Sequence, residues 1–206
     1  MTFLDRVYAR AREAGARIVL PEADDPRVRA AAARIAREGL GTIVPLPAIR
    51  PDLIAYVRGR RPDKFPTDAA AGRALAHPLV RGAALVGIGA ADVMVGGAHL
   101  PTADTVRAAL WTVGPASGVA TISSAFYMMH GDRVLTFADC AVCPAPTADQ
   151  LADIAYAAAC DRRRIVGDEP VVAFLSYSTE GSAEGESVER VRAAVGALAR
   201  RLPGGG

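Results

Sequence analysis

RIVLPEADDPRVRAAAARIAREGLGTIV, residues 17–44, places a compact apolar run, a proline, a capped helix and a second apolar run in succession. Residues 16–20 have the composition of a buried strand, and Pro21, which lacks an N–H donor, ends it. Asp25 can accept from the first turn of a helix, and Pro26 suits that helix's first position, where an N–H has no partner in any case. Val28, Ala31, Ala32, Ile35 and Ala36 then recur at helical spacing, while Arg27, Arg29, Arg34 and Arg37 fall off that stripe. Residues 42–46 form the second strand. Strand, helix, strand in this order predicts the parallel unit of an α/β fold.

Outward from this unit the pattern continues. Residues 3–14 read as a short amphipathic helix. Residues 45–66 carry five prolines and the basic cluster Arg58, Arg60 and Arg61, and predict a loop with a short helix. Helical periodicity resumes over 67–86, breaks near His77-Pro78, and leads to a strand at 92–95. VGGAHLPTADTVRAAL, residues 95–110, then turns through two glycines into a helix over 102–112 that Thr102 is expected to cap. Strands are expected at 119–123, with 126–129 as an extension, and at 134–137. A second PTAD, residues 146–149, starts a helix that runs to about 161, with Thr147 and Gln150 spaced as a capping box. A strand at 171–176 and an amphipathic helix at 188–202 complete the chain. About six strands and seven helices broadly alternate, divided into an N-terminal α/β domain, 1–113, and a partial second one, 114–206.

Composition narrows the classes. A chain of 206 residues with 51% hydrophobic content can bury a sizeable core as one large or two small domains. A net charge of +2 argues against a broad polycationic surface for nucleic acid, so an anion site would be local. Lys64 is the single lysine. No apolar run reaches membrane-spanning length, and the charged N-terminus lacks a signal-peptide core, which leads us to expect a cytoplasmic protein without membrane partners. Cys140, Cys143 and Cys160 make no secreted disulfide framework and fit a reducing compartment.

Several short motifs carry little. Cys140 and Cys143 have CxxC spacing but are followed by prolines, and they lack a second ligand pair for zinc. Gly87-Ile-Gly89 precedes a strand and lacks the third glycine of a dinucleotide turn. Ser176-Tyr177-Ser178 has Gly181 where a short-chain dehydrogenase carries lysine, and no G-x-S-x-G elbow occurs.

Three features remain. Gly96-Gly97 and the helix start at Thr102 could offer N–H groups to an anion, with Arg107 adding a guanidinium; alternatively Asp104 and Arg107, at i and i+3, simply pair. Ser123 and Ser124 follow a strand, where hydroxyls either face a ligand crevice or serve a turn. LSYSTEGSAEGES, residues 175–187, is a hydroxyl- and glycine-rich loop that either binds phosphate or is only a connection.

Taken together, RIVLPEADDPRV, ADVMVGGAHLPTADTVRAAL, ISSAFYM, FADCAVCPAPTADQLADIA and VAFLSYSTEGS, in this order and spacing, resemble the phosphate acetyl/butyryltransferase family. The resemblance implies open, doubly wound, mostly parallel sheets in a two-domain phosphotransacetylase-like fold, akin to isocitrate and isopropylmalate dehydrogenases and here C-terminally incomplete. It also implies a cytoplasmic homodimer that moves an acetyl or other short acyl group between coenzyme A and inorganic phosphate, without metal or redox cofactor. In the family a carboxylate takes the CoA thiol proton and arginines hold phosphate. By the same resemblance Arg107 and Arg61 are the phosphate-side arginines and Arg27 lies near the CoA side. Gly97 and Thr102 belong to the anion turn, and Ser123, Ser124, Ser178 and Ser182 to the cleft.

The chain departs from the family in four places. Residues 47–56 are shorter than the strand and helix expected there. Leu100 stands where many members have histidine, with His99 one place earlier. Glu180 replaces the lysine of the YSTKGS block. The family's DGE block, late serine-arginine pair and basic aspartate fall after the position of Gly206. Two further classes are therefore weighed against the acyltransferase. One is a non-catalytic CoA- or phosphate-binding remnant, or a partner subunit without its own base; the other is an NAD-dependent hydroxyacid relative of the wider fold.

Overall fold

The computed structural model describes residues 2–131, 133–179 and 181–202. The chain forms two compact units, Leu4–Gly114 and Pro115–Gly206 together with Met1–Phe3.

In the first unit, α1 (Phe3–Ala14) leads to β1 (Arg17–Val19), α2 (Pro26–Glu38) and β2 (Thr42–Val44). Then follow α3 (Pro51–Arg60), α4 (Asp68–Leu75), α5 (Pro78–Gly87), β3 (Val93–Met94) and α6 (Thr102–Thr112). The strands pair in the order β2-β1-β3, all parallel, with Ile18 opposite both Ile43 and Val93. The chain leaves β1 to one side and returns to its other side, so the ends of β1 and β3 flank a topological switch point. α2 starts as the sequence predicts: the Asp25 carboxylate accepts from the N–H of Arg27 at 2.8 Å and Pro26 takes the first helical position.

The core of this unit is Val19 together with Leu53 and Val57 of α3, Leu75 of α4, and Leu79 and Leu85 of α5. Gly82 brings α5 close to the sheet, since a Cβ there would lie 2.7 Å from Pro21 Cγ and 3.1 Å from Met94 Sδ. Residues 51–60, expected only as a short helix within a proline-rich loop, make ten residues of α3, which Pro51 starts at a position that tolerates it. Arg60 ties this helix to the end of α6, donating to the carbonyls of Thr112 at 3.2 Å and Val113 at 2.5 Å. The apolar face of α3 was hidden in the sequence by the cluster of arginines at its end.

In the second unit, β4 (Ala125–His130) and β5 (Arg133–Ala138) pair antiparallel, and α7 (Ala148–Ile165) and α8 (Glu186–Ala199) pack together. Gly131, directly after β4, sits at φ 57°, in the left-handed region that glycine adopts without steric cost. Thr147 and Gln150 form the expected capping box on α7. Arg162 of α7 reaches β5, donating to the carbonyl of Val134 at 2.9 Å and to Thr136 Oγ1 at 3.1 Å.

The described residues hold five strands and eight helices rather than about six and seven. Residues 119–123 and 171–176 are not strands. Val171 is 95% exposed, and neither segment has a partner strand among the described residues to accept its backbone groups. The strand near the first segment begins later, at Ala125, so Ser123 and Ser124 precede β4 instead of following a strand.

Candidate functional site

The switch point of the first unit is built around a buried carboxylate. β1 runs into Pro21 and Glu22, and β3 into the glycine turn. Glu22 is 3% exposed and accepts four backbone N–H groups of that turn. Gly97 (2.5 Å) and Ala98 (2.9 Å) donate to Oε2, and His99 and Leu100 (both 2.9 Å) donate to Oε1. Gly97 adopts φ 93°, a conformation that aims consecutive N–H groups at one centre and that side chains disfavour. Burial acts to raise the pKa of Glu22, but the donors His99, Ala98, Leu100 and Gly97 together outweigh it and hold the carboxyl at about 2. Arg27 grips Asp25 through Nε at 3.0 Å and Nη2 at 2.6 Å, and donates to the Ala98 carbonyl at 2.6 Å. A cavity of about 330 Å³ opens here, lined by Leu20, Glu22, Arg27, Val95 and Gly97.

Thus the N–H groups expected to meet an external anion are engaged by an internal one. Thr102 is not the cap of α6: the cap position is Pro101, which makes no side-chain bond, and Thr102 is the exposed first residue of the helix. Its hydroxyl gives way because Pro101 already sets the extended entry to the helix.

Arg107 lies one turn further along α6. It pairs with Asp104 while its side chain stays 50% exposed, and its guanidinium lies 6.0 Å from the centre of the Trp111 ring. The ring also contacts the turn that follows α3. Phe65 meets it edge-on at 5.4 Å, and Lys64 Nζ lies 5.1 Å from its centre. That turn is closed by the Arg61 carbonyl, which accepts from the N–H groups of Lys64 at 3.0 Å and Phe65 at 2.8 Å. The Arg61 side chain, 37% exposed, pairs with Asp63 at 3.4 Å. The Arg61 turn and the Arg107 helix therefore share Trp111, whereas Arg27 and Gly97 line the cavity at the switch point.

The second unit has its own carboxylate-centred turn. Asp139 Oδ1 accepts from the N–H of Ser124 at 2.6 Å and its hydroxyl at 2.9 Å, and Oδ2 accepts from the N–H groups of Val142 at 2.9 Å and Cys143 at 2.8 Å. Ser124 Oγ accepts in turn from the N–H groups of Cys140 and Ala141. Burial raises the pKa of Asp139, while Cys143, Ser124 and Val142 lower it to about 2. Ser123 sits next to this turn, partly buried. The cysteine pair thus belongs to a turn organised by Asp139, and among the described residues no group of histidine, cysteine and carboxylate side chains is placed to hold a metal.

Ser178 and Ser182 close their own loop. Ser178 Oγ donates to the Ala183 carbonyl at 2.8 Å, and Ser182 Oγ accepts from the Thr179 N–H at 3.1 Å. Glu180 lies outside the described residues. The larger cavity, about 610 Å³, is in this unit between β5, α7, residues 168–175 and α8, and holds none of the candidate residues.

Sequence reasoning missed Glu22, Asp139 and the Trp111 contacts. The available signal was an acid placed directly after an apolar strand, in RIVLPE and LTFAD, where a charge so close to the core needs partners.

The model of the phosphate acetyl/butaryl transferase family matches residues 2–55 and 48–205. A phosphate acetyltransferase of Paracoccus denitrificans is 39% identical over 222 residues, covering 98% of this chain and 70% of that protein. The phosphate acetyltransferase of Escherichia coli K12 is 38% identical and matches 94% of this chain, which spans 30% of the relative's length. Among solved structures, a phosphotransacetylase from Streptococcus pyogenes superposes with a TM-score of 0.87 at 31% identity, covering 98% of this chain and 70% of that one.

Proposed function

The chain belongs to the phosphate acetyl/butyryltransferase family, and on that premise we propose that it moves an acetyl group between coenzyme A and inorganic phosphate. The observation that carries this is the 39% identity to a phosphate acetyltransferase across nearly the whole chain. Acetyl is chosen over butyryl because the curated relatives compared above are named for it. Their names also disfavour the non-catalytic alternative.

In the synthetic direction an oxygen of phosphate attacks the thioester carbonyl, the new C–O bond forms, the C–S bond breaks and the thiolate leaves to take up a proton. No electron changes hands, so the reaction calls for no redox cofactor, and we propose that fixed positive charge replaces a metal. Arg107 supplies it from α6, and Arg61 from the turn against the same tryptophan. Each exchanges a carboxylate neighbour, Asp104 or Asp63, for phosphate oxygens. Arg27, at the switch-point cavity, is proposed for the CoA side, and Gly97, Thr102, Ser123, Ser124, Ser178 and Ser182 are kept as binding residues. The general base is not among these.

We place the protein in the cytoplasm on its cysteine usage; no described helix is long and apolar enough to cross a membrane. A homodimer is proposed as the working form. Its support is the hairpin face on which Phe126 pairs with Phe137 and Met128 with Leu135, all four about half exposed.

The test is release of free thiol from acetyl-CoA, with and without phosphate or arsenate. Anion-dependent release is expected, and Arg107→Ala should lower it by about 10²–10³-fold, as for other preorganised charge donors. An unchanged rate in that variant would remove Arg107 from the reaction.

A further inference from the structure

The cations of α6 and of α3 with the turn after it differ in how they are neutralised. Arg107 pairs with Asp104, Arg61 with Asp63, and Arg58 with Asp68. Lys64 makes no ion pair with a carboxylate among the described residues; its ammonium contacts the indole ring instead. A ring quadrupole holds a cation without cancelling its charge, so the full positive charge stays available to a ligand.

The position of Lys64 is also fixed. Its N–H is bonded to the Arg61 carbonyl, and the next residue, Phe65, is 6% exposed and packs edge-on against Trp111. The side chain therefore stands over a defined surface, on the ring that Arg107 approaches from one helical turn away.

We infer that Lys64 is a third phosphate-side cation, held on the Trp111 ring that Arg107 also approaches and contacting the dianionic phosphoryl group directly. This rests on the proposed reading of Arg107. The charge of Arg107 and of Arg61 is already partly met by a carboxylate, whereas Lys64 has no carboxylate partner among the described residues. It supplies a point charge where the arginines supply planar forks, and the tetrahedral group accepts both. The ligand is inorganic phosphate or the phosphoryl end of an acyl phosphate, in contrast to the phosphates of CoA.

Trp111 is the single tryptophan of the chain, so its emission reports on this surface alone. The experiment titrates the full chain with inorganic phosphate, and separately with CoA, at ionic strength held constant with sodium chloride. A saturable change in emission with phosphate is expected. Lys64→Met, which keeps the methylene packing on the ring, should raise the phosphate Kd and KM about tenfold, the scale of one lost charge-assisted hydrogen bond. The KM for acetyl-CoA should not move, and Lys64→Arg should recover most of the loss. If the chain releases CoA but Lys64→Met leaves phosphate affinity unchanged, Lys64 has no such role while acyl transfer stands. If phosphate binding depends on Lys64 but no acyl transfer occurs, the Lys64 site stands and the reaction does not. A response to CoA with none to phosphate overturns the assignment. Should Lys64→Met melt early, the charge-conserving Lys64→Arg decides: unaltered folding with phosphate affinity lost as fully as in Lys64→Met would show that charge is not what binds.

Discussion

A carboxylate buried beside a core must find donors, and Glu22 finds four in one loop. Its folded pKa of about 2 lies below the ordinary value of 4.5, so its stabilising contribution is fully present above pH 4.5 and is lost as pH falls through 2. Glu22→Gln keeps the shape but turns an NH2 group toward two of the four N–H donors. Urea unfolding at pH 7 should show a loss of about 2–4 kcal/mol, the range for leaving buried donors unpaired. The gap to the wild type should narrow between pH 4.5 and 2, because the wild type loses the same charge there. An equal gap at pH 7 and pH 2.5 would mean that the carboxylate's charge is not what holds the loop. Little of this was legible in the sequence, since the donors lie 75 to 78 residues from Glu22. The pairing of Arg107 with Asp104 was legible as one of two outcomes, because i and i+3 on a helix are neighbours whatever surrounds them.

Helices announced themselves more clearly than strands. Asp25-Pro26 and the Thr147 capping box mark their helix starts through bonds within three residues, and both form as expected. A strand depends on a partner elsewhere, which is why residues 171–176, apolar enough to read as a strand, have no partner strand among the described residues while residues 125–130 find β5. Glycines separate the same way. Gly82 and Gly72 both lie inside helices, but only the first faces a neighbour. Gly82→Ala should destabilise by about 1–3 kcal/mol through overpacking on Pro21 and Met94. Gly72→Ala, with nothing within 4 Å of the added carbon, should stabilise by about 0.5–1 kcal/mol. Thermal unfolding of the two variants should therefore shift in opposite directions, and a shared direction would contradict the packing described for α5.

Association belongs to the scale of the whole molecule. If the face of Phe126, Met128, Leu135 and Phe137 joins two copies, sedimentation should give the mass of a dimer, and Met128→Lys should shift it toward the monomer by placing a charge in an apolar contact. A wild-type monomer at micromolar concentration would leave that face without the proposed partner. The sequence by itself determined the parallel strand-helix-strand start, most helix positions and the family, because periodicity, caps and ordered motif blocks are written in neighbouring residues. Only the tertiary structure decided that the glycine turn encloses Glu22, that β4 and β5 pair antiparallel, and that Lys64 lies against the same Trp111 ring as Arg107. The first and last of those outcomes depend on which distant segments the core brings together, and around Glu22 burial sets the strength by removing the water that would otherwise satisfy each group separately.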